Sequence, residues 1–434
     1  MKKIQISNSI LYIHEQFCAQ FKAKIPDKIY VEQRFIDEIV KKEKDKLGEN
    51  TQYDYDCNIE KMTPKTCEDA HRAIIEFYKN EENYKNFIIG NPDKLYELIK
   101  NMEKLGLYNI FQMMVKYKIK VKISNSSKSS NCIYSNLLID KLGYNKFKKI
   151  TIIVDDNTNL YSTDIKGLIP IDIEEGKEAE WLEYLKLLYI KLNMSKKDIK
   201  KNSSKKLINY WGAYPFVFSL DVRVCPYCNK QYIEPIYTNK GKMRGDMDHF
   251  YSKERYPLFS ISIYNLVPVC RFCNSSFKGT KNFKLKDIHP YRESIDESFE
   301  FKFYLQGDSI RVYTQKNLHT EANTEGFDRY NDYFKYEEQY QYHENLVRDF
   351  IMKTRMYNDD VIEDLRERFN IYNLSNKQIK EQIYGYRMDD KDINNKTLAK
   401  FSKDILLQLN SKKINYDNIQ LTVEERTKLL DKIK

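Results

Sequence analysis

Two C-x-x-C pairs constrain this chain more than any other feature of its sequence. Cys225-Pro226-Tyr227-Cys228 and Cys270-Arg271-Phe272-Cys273 stand with 41 residues between them. Two thiolates at this spacing curl onto one Zn²⁺, and a second such turn completes a tetrahedral S₄ site. Zinc–sulfur bonds then replace the core that so small a segment cannot build. Four sulfurs leave no open position for water, so the expected zinc is structural. The competing readings are a redox pair or four buried thiols. A redox C-x-x-C follows a strand in a βαβ unit, a pattern the sequence lacks here.

The rest of the chain sets the background. Cys18, Cys57, Cys67 and Cys132 are scattered, which does not suit a secreted disulfide framework. Met1-Lys2-Lys3 is not followed by an apolar run, and no stretch is long and apolar enough to span a bilayer. These features lead us to expect thiols in a reducing, cytoplasmic compartment with no membrane partner. The formal net charge is +10. From residue 221 to 290 there are 12 Lys or Arg against 6 Asp or Glu, so more than half of the surplus sits around the cysteines. Such a local surplus favours an anionic partner.

Polar residues suited to hydrolysis are interleaved with the cysteines. Gly245-Asp246-Met247-Asp248-His249-Phe250 comes first, then Tyr264-Asn265-Leu266-Val267-Pro268, then Asn274-Ser275-Ser276-Phe277-Lys278-Gly279. An imidazole titrates near neutral pH, so His249 suits proton removal from water. The Asp248 carboxylate is a hard oxygen ligand for Mg²⁺ or a similar ion. On an extended strand neighbours face opposite ways, so Asp248 and His249 can share a site only where the strand ends in a bend. Asn274 follows the last cysteine and is placed to open a short helix, offering an amide oxygen. Lys278, four residues on, shares that helix face and is expected to hold a phosphate. Asp246 reads as a solvated turn acid, with a second ligand as the alternative. Lys253, Arg255 and Arg271 are further candidate phosphate contacts. His289 and His343 read as packing residues.

The ordered elements C-x-x-C, D-H, N-L, C-x-x-C-N and K-G resemble the HNH endonuclease superfamily over about 55 residues. The resemblance implies a ββα-metal core with His249 as general base, Asp248 and Asn274 as ligands of Mg²⁺ or Mn²⁺, and Asn265 bracing the loop that carries the base. It implies a DNA endonuclease, with RNA as the alternative substrate of a toxin-like enzyme. A non-catalytic zinc module that binds nucleic acid or protein is the third reading. The chain further resembles long bacterial HNH nucleases of antiviral defence, among them the nuclease partners of Septu-type and retron systems. Those relatives often work beside an ATPase. Since the sequence holds no Gly-x-x-x-x-Gly-Lys-Ser/Thr loop, any NTP-driven step is expected to come from a partner.

The expected fold is α+β: a zinc-stapled core at 221–290 between mainly helical regions. Residues 1–123 read as helical, with helix-like spacing at Tyr30–Lys46 and Asp93–Lys116 and Asn91 as a cap. The loop Ser124–Asn131 marks a boundary. Residues 132–220 read as mixed, with a strand at Ile150–Val154, a helix at Glu180–Asn193 and a basic loop at Ser195–Lys206. From 291 to 434 a hairpin is expected first, since Phe299, Phe301, Phe303 and Leu305 alternate, Gln306-Gly307-Asp308 turns, and Ile310 and Val312 return. Helices follow, with Leu346, Phe350, Ile362, Leu365 and Phe369 on buried faces.

Overall fold

The computed structural model describes residues 1–47, 59–124, 130–149, 211–220, 222–237, 242–284, 287–307, 309–317 and 324–411. The strand at 150–154, the helix at 180–193, the basic loop at 195–206, most of the loop at 124–131 and Cys57 fall outside the described residues. Within them, helices are mixed with small antiparallel sheets, the α+β class read from sequence.

The described residues up to Lys149 form a helical layer around a three-stranded sheet. Its helices are α1 (Asn8–Ala19), α2 (Gln33–Leu47), α3 (Pro64–Lys79), α4 (Glu81–Ile89), α5 (Pro92–Glu103), α6 (Tyr108–Lys116), α7 (Tyr134–Lys141) and α8 (Tyr144–Lys149). Side-chain caps start several of them. The Asn91 Oδ1 accepts from the Lys94 N–H at 3.0 Å, with Pro92 in the first turn, as the sequence suggested. Thr63 and Thr66 close a reciprocal box at the start of α3. The stretch expected as one helix from Asp93 to Lys116 is two, because the chain turns through Lys104–Leu107 before α6. Likewise Tyr30–Val31 is the edge strand β1, paired with β2 (Lys120–Lys122), which pairs in turn with β3 (Cys132–Ile133).

One buried imidazole ties this layer to the centre of the molecule. Nδ1 of His14, on α1, accepts from the Trp211 indole N–H at 3.1 Å, so its proton lies on Nε2, which donates to the Ile261 carbonyl at 2.7 Å. Burial pushes this imidazole down to about 4, and a neutral ring is what two such partners need. Trp211 introduces α9 (Ala213–Ser219).

The C-terminal third forms the opposite wall. β8 (Phe299–Gln306) and β9 (Ser309–Lys316) make the expected hairpin, with Phe299 facing Lys316 and Gln306 facing Ser309. Phe299, Phe301, Phe303, Ile310 and Val312 are buried on its inner face. Helices α10 (Thr324–Phe334), α11 (Tyr336–Gln341), α12 (Glu344–Met356), α13 (Asp359–Arg368), α14 (Asn376–Tyr384) and α15 (Ala399–Asn410) follow. Their side chains fill the outward-facing N–H groups of the ribbon. Asp404 and Gln408 accept from Phe301 and Phe303 on one edge, and Gln341 and Glu337 from Val312 and Thr314 on the other. Phe350 and Ile362 are buried as expected, whereas Phe369 is 69% exposed because α13 ends one residue before it.

A candidate active site beside a cysteine cluster

The centre of the chain is two short strands and a helical turn. β4 (Ile236–Tyr237) and β5 (Lys242–Met243) form a small ribbon, and β6 (Asp246–His249) follows. β6 pairs antiparallel with β7 (Leu266–Val269), Asp246 opposite Val269 and His249 opposite Leu266. Gly245 precedes β6 because a Cβ there would lie 3.0 Å from the Ile233 side chain and 3.1 Å from the Val269 carbonyl. Past β7 the chain coils through Phe272–Lys278 in a wide π-helical turn, in which the Gly279 N–H bonds the Asn274 carbonyl five residues back. Turns of this kind recur at functional sites.

The four knuckle cysteines come together at one end of this unit. All are buried, and their sulfurs lie within 4.8 Å of one another, Cys228 and Cys270 at 3.9 Å. A tetrahedron with Zn–S bonds of ~2.3 Å sets its sulfurs ~3.8 Å apart. The cluster therefore fits one structural zinc. The backbone N–H groups of Lys230 and Cys273 donate to the sulfurs of Cys228 and Cys270. Contacts with the neighbouring sulfurs hold Cys270 well below the ordinary thiol range, while burial pushes Cys225 and Cys273 up. The C-terminal wall clasps the first knuckle: Tyr336 and Tyr340 donate to the carbonyls of Tyr227 and Cys228, each at 2.6 Å. Asn229 sits at φ +53 and bonds the backbone of Ile393 and Lys400. Cys18 and Cys67 are buried thiols elsewhere, and Cys132 is half-buried.

On the other side of β6 is a cleft of about 300 Å³. Asp246, Asp248, His249 and Asn274 all line it, so the strand end does let neighbouring Asp248 and His249 face one space. His249 is 7% exposed, and its Nε2 lies 3.0 Å from the Ser260 carbonyl. A carbonyl only accepts, so the proton is on Nε2 and Nδ1 keeps a lone pair. The Tyr144 ring meets the imidazole edge-on at 4.7 Å. Burial pushes His249 down to about 3; Lys253 and Lys278 add to this, and the Ser260 carbonyl opposes it. The ring is therefore neutral near pH 7. Asn265 is fully buried: its Oδ1 accepts from the Tyr251 N–H at 2.7 Å, and its Nδ2 donates to the carbonyls of Tyr251 and Phe259, each at 3.0 Å. These bonds fasten both ends of the loop between His249 and β7.

Comparison with known proteins finds no matching family model, no similar curated protein and no similar solved structure. The geometry must carry the reading.

Two of the expected ligand-binding residues hold internal partners in this structure. Lys278 does not present its ammonium to solvent. It is 2% exposed and donates to the Asp248 Oδ1 at 2.6 Å and to the His249 carbonyl at 2.7 Å. The wide turn carries it inward, where it forms an internal ion pair at the lining of the cleft. Asp248, expected as a metal ligand, has both oxygens engaged, since the Tyr227 hydroxyl donates to Oδ2 at 2.7 Å. The half-buried acid beside Asn274 is Asp246, whose Oδ2 accepts from the Asn274 amide at 3.2 Å. The sequence favours a solvated turn for Asp246, with a second ligand as the alternative, and its i, i+2 relation to Asp248 on a strand fits the half-buried position found here.

Of the other candidate contacts, Lys253 lines the cleft, with its ammonium 4.9 Å from the Tyr144 ring centre. Lys148 and Arg244 line it too. Arg255 is exposed in an adjoining groove of about 540 Å³ that reaches Lys116 on α6, and Ser252, Glu254 and Thr280 border both hollows. Arg271 is exposed in a third hollow, which shares Arg244 and Asp246 with the cleft. The three hollows thus run side by side along the unit. His289 is buried against Phe250, ring centres 4.1 Å apart, and His343 packs on Tyr340, so both are packing residues. Tyr144 and Tyr227 escaped the sequence reading altogether. Tyr227 lies within a knuckle, but nothing in the sequence links Tyr144 to His249. Among the described residues no helix is long and apolar enough to cross a membrane.

Proposed function

We propose that this protein is an HNH-type endonuclease that hydrolyses phosphodiester bonds, with DNA as substrate. One observation carries the reading: His249, Asp246 and Asn274, from two strand and turn elements stapled by the cysteine cluster, converge on one cleft edged with cations. His249 takes a proton from water on Nδ1, the lone pair left by its Nε2–H bond to Ser260. The water oxygen bonds to phosphorus, the bond to the leaving sugar oxygen breaks, and that oxygen takes a proton from solvent. An arriving phosphate anion offsets Lys253 and so raises the basicity of His249 as substrate binds.

The Asn274 amide nitrogen lies 3.2 Å from the Asp246 Oδ2, and a rotated amide would turn its oxygen toward the same place, a donor set that suits Mg²⁺ or Mn²⁺. Such an ion would supply charge stabilisation at the leaving oxygen. Asp248, neutralised by Lys278 and Tyr227, holds the strand end that carries His249.

The test is nicking of plasmid DNA with added Mg²⁺ or Mn²⁺, alongside an RNA panel, for wild type and His249→Ala. Equal cutting by both removes His249 from the chemistry, and cutting of RNA alone replaces the DNA assignment. A zinc module that binds nucleic acid without cutting is the second reading, favoured by the engaged oxygens of Asp248. Tight binding with no metal-dependent nicking on any substrate would select it. On the resemblance alone, we place the enzyme in bacterial antiviral defence beside an ATPase partner.

A further inference from the structure

The two knuckles hold a ring at equivalent positions but use it differently. Tyr227, third in the first C-x-x-C, is fully buried and serves Asp248. Phe272, third in the second, is 61% exposed. It does not stand alone: Tyr232 is 53% and Met243 52% exposed, and all three border the hollow of about 520 Å³ that shares Arg244 and Asp246 with the cleft. The Arg244 guanidinium lies 5.2 Å from the Tyr214 ring centre on the same wall, and Arg271 is exposed beside Phe272. Exposed rings interleaved with guanidinium groups form a surface on which bases stack while the cations face the backbone. The volume falls in the range of clefts that accept small planar groups.

We infer that this hollow is a stacking shelf for unpaired nucleobases of the strand whose phosphate lies in the Asp246–His249 cleft, and that the protein selects single-stranded or locally opened nucleic acid. The inference deepens the nuclease reading and rests on its assignment of a nucleic-acid ligand. Charge and continuity choose the occupant. Arg244 and Arg271 suit a polyanion, and the shelf opens directly onto the acid of the candidate site. In a paired duplex the base faces are already stacked on one another and could not cover these rings.

The experiment measures binding apart from cutting. Full-length His249→Ala protein, without added divalent ion, is titrated onto a fluorescein-labelled 20-nucleotide oligothymidylate and onto a 20-base-pair duplex. Phe272→Ala and Tyr232→Ala are then added singly and together, with Tyr342→Ala, an exposed ring outside this hollow, as control. Zinc content and circular dichroism establish that each variant is folded. The expected result is tighter binding of the single strand, weakened about tenfold by each shelf substitution and unchanged by Tyr342→Ala. The salt slope should stay the same, because no charge is removed. A 2-aminopurine base in the oligomer should be quenched on binding and lose that quenching with Phe272→Ala. Equal affinity for both oligomers, or losses under twofold in the double variant, overturns the inference. So does a result in which the rings govern capture of a second polypeptide and leave oligomer affinity untouched. If the wild type cuts nothing yet the single strand still binds through these rings, the nuclease reading fails and the shelf stands.

Discussion

The cysteine cluster and the oxygen-lined cleft share the wide turn after β7, through Cys273 and Asn274, yet they face different parts of the chain. The cluster is sealed by tyrosines and backbone of the C-terminal wall, through Tyr336, Tyr340 and Asn229. The cleft is bounded by the N-terminal layer, through Tyr144 and Lys148, and its loop is moored to His14 at Ile261. The cluster end buries all four sulfurs, which support rather than react, and only the outer side of its second knuckle, at Phe272, borders a hollow. The other is open and charged and can meet a ligand. Tyr227 spans the two, its backbone in the clasp and its hydroxyl on Asp248. The contrast explains why a motif of about 55 residues sits between long flanks: each flank completes one end of it.

The contrast can be broken most severely at the sulfurs. Cys270→Ser should release zinc and unfold the central unit, since structural zinc is worth on the order of 10 kcal/mol to a small site. Atomic absorption and circular dichroism check this, and retention of one equivalent of zinc with a native spectrum would refute the support role. His249→Ala should do the opposite, lowering cutting by about 1000-fold while leaving zinc content as it was and the fold native by circular dichroism. Lys278→Met, which leaves the Asp248 carboxylate buried without its cation, should cost about 3 kcal/mol in urea unfolding. If Lys278 gripped phosphate instead, stability would hold and only KM would rise.

A gentler probe uses acid. His14 and His71 on the N-terminal side are buried and lowered to about 4 from an ordinary 6.5, so the unfolded chain binds their protons first. Their stabilising effect is complete above pH 6.5 and declines as pH falls toward 4, by about 2 kcal/mol per histidine at pH 5. Hydrogen exchange at pH 5 should therefore show α1 and α3 losing protection before the hairpin. The smallest effect expected is at the cleft rim. Lys253→Ala should weaken substrate binding a few-fold and flatten its salt dependence by about one phosphate contact, with kcat nearly unchanged.

Short-range pattern was legible in the sequence, and long-range placement was not. The cysteine spacing, the Asn91 cap and the alternation of Phe299, Phe301 and Phe303 are local rules, and each appears in the fold. Asn265 and Asn274 lie near His249 in the chain, so their order alone brought them close. Lys278 was misplaced because four residues on an α-helix share a face, whereas the wider π turn alters that relation and buries the ammonium. Asp246 reads from the sequence either as a solvated turn acid or as a second ligand, because residue spacing alone does not say how far a strand end is buried. Tyr144 reaches His249 across more than 100 residues, and no periodicity in a single sequence encodes such a meeting.

The ribbon of β8 and β9 leaves one further consequence. A free two-stranded edge recruits other chains by offering unsatisfied N–H and C=O groups. Here Asp404, Gln408, Gln341 and Glu337 already occupy positions on both margins. A protein carrying 35 tyrosines and 22 phenylalanines has thereby blunted one route to self-association.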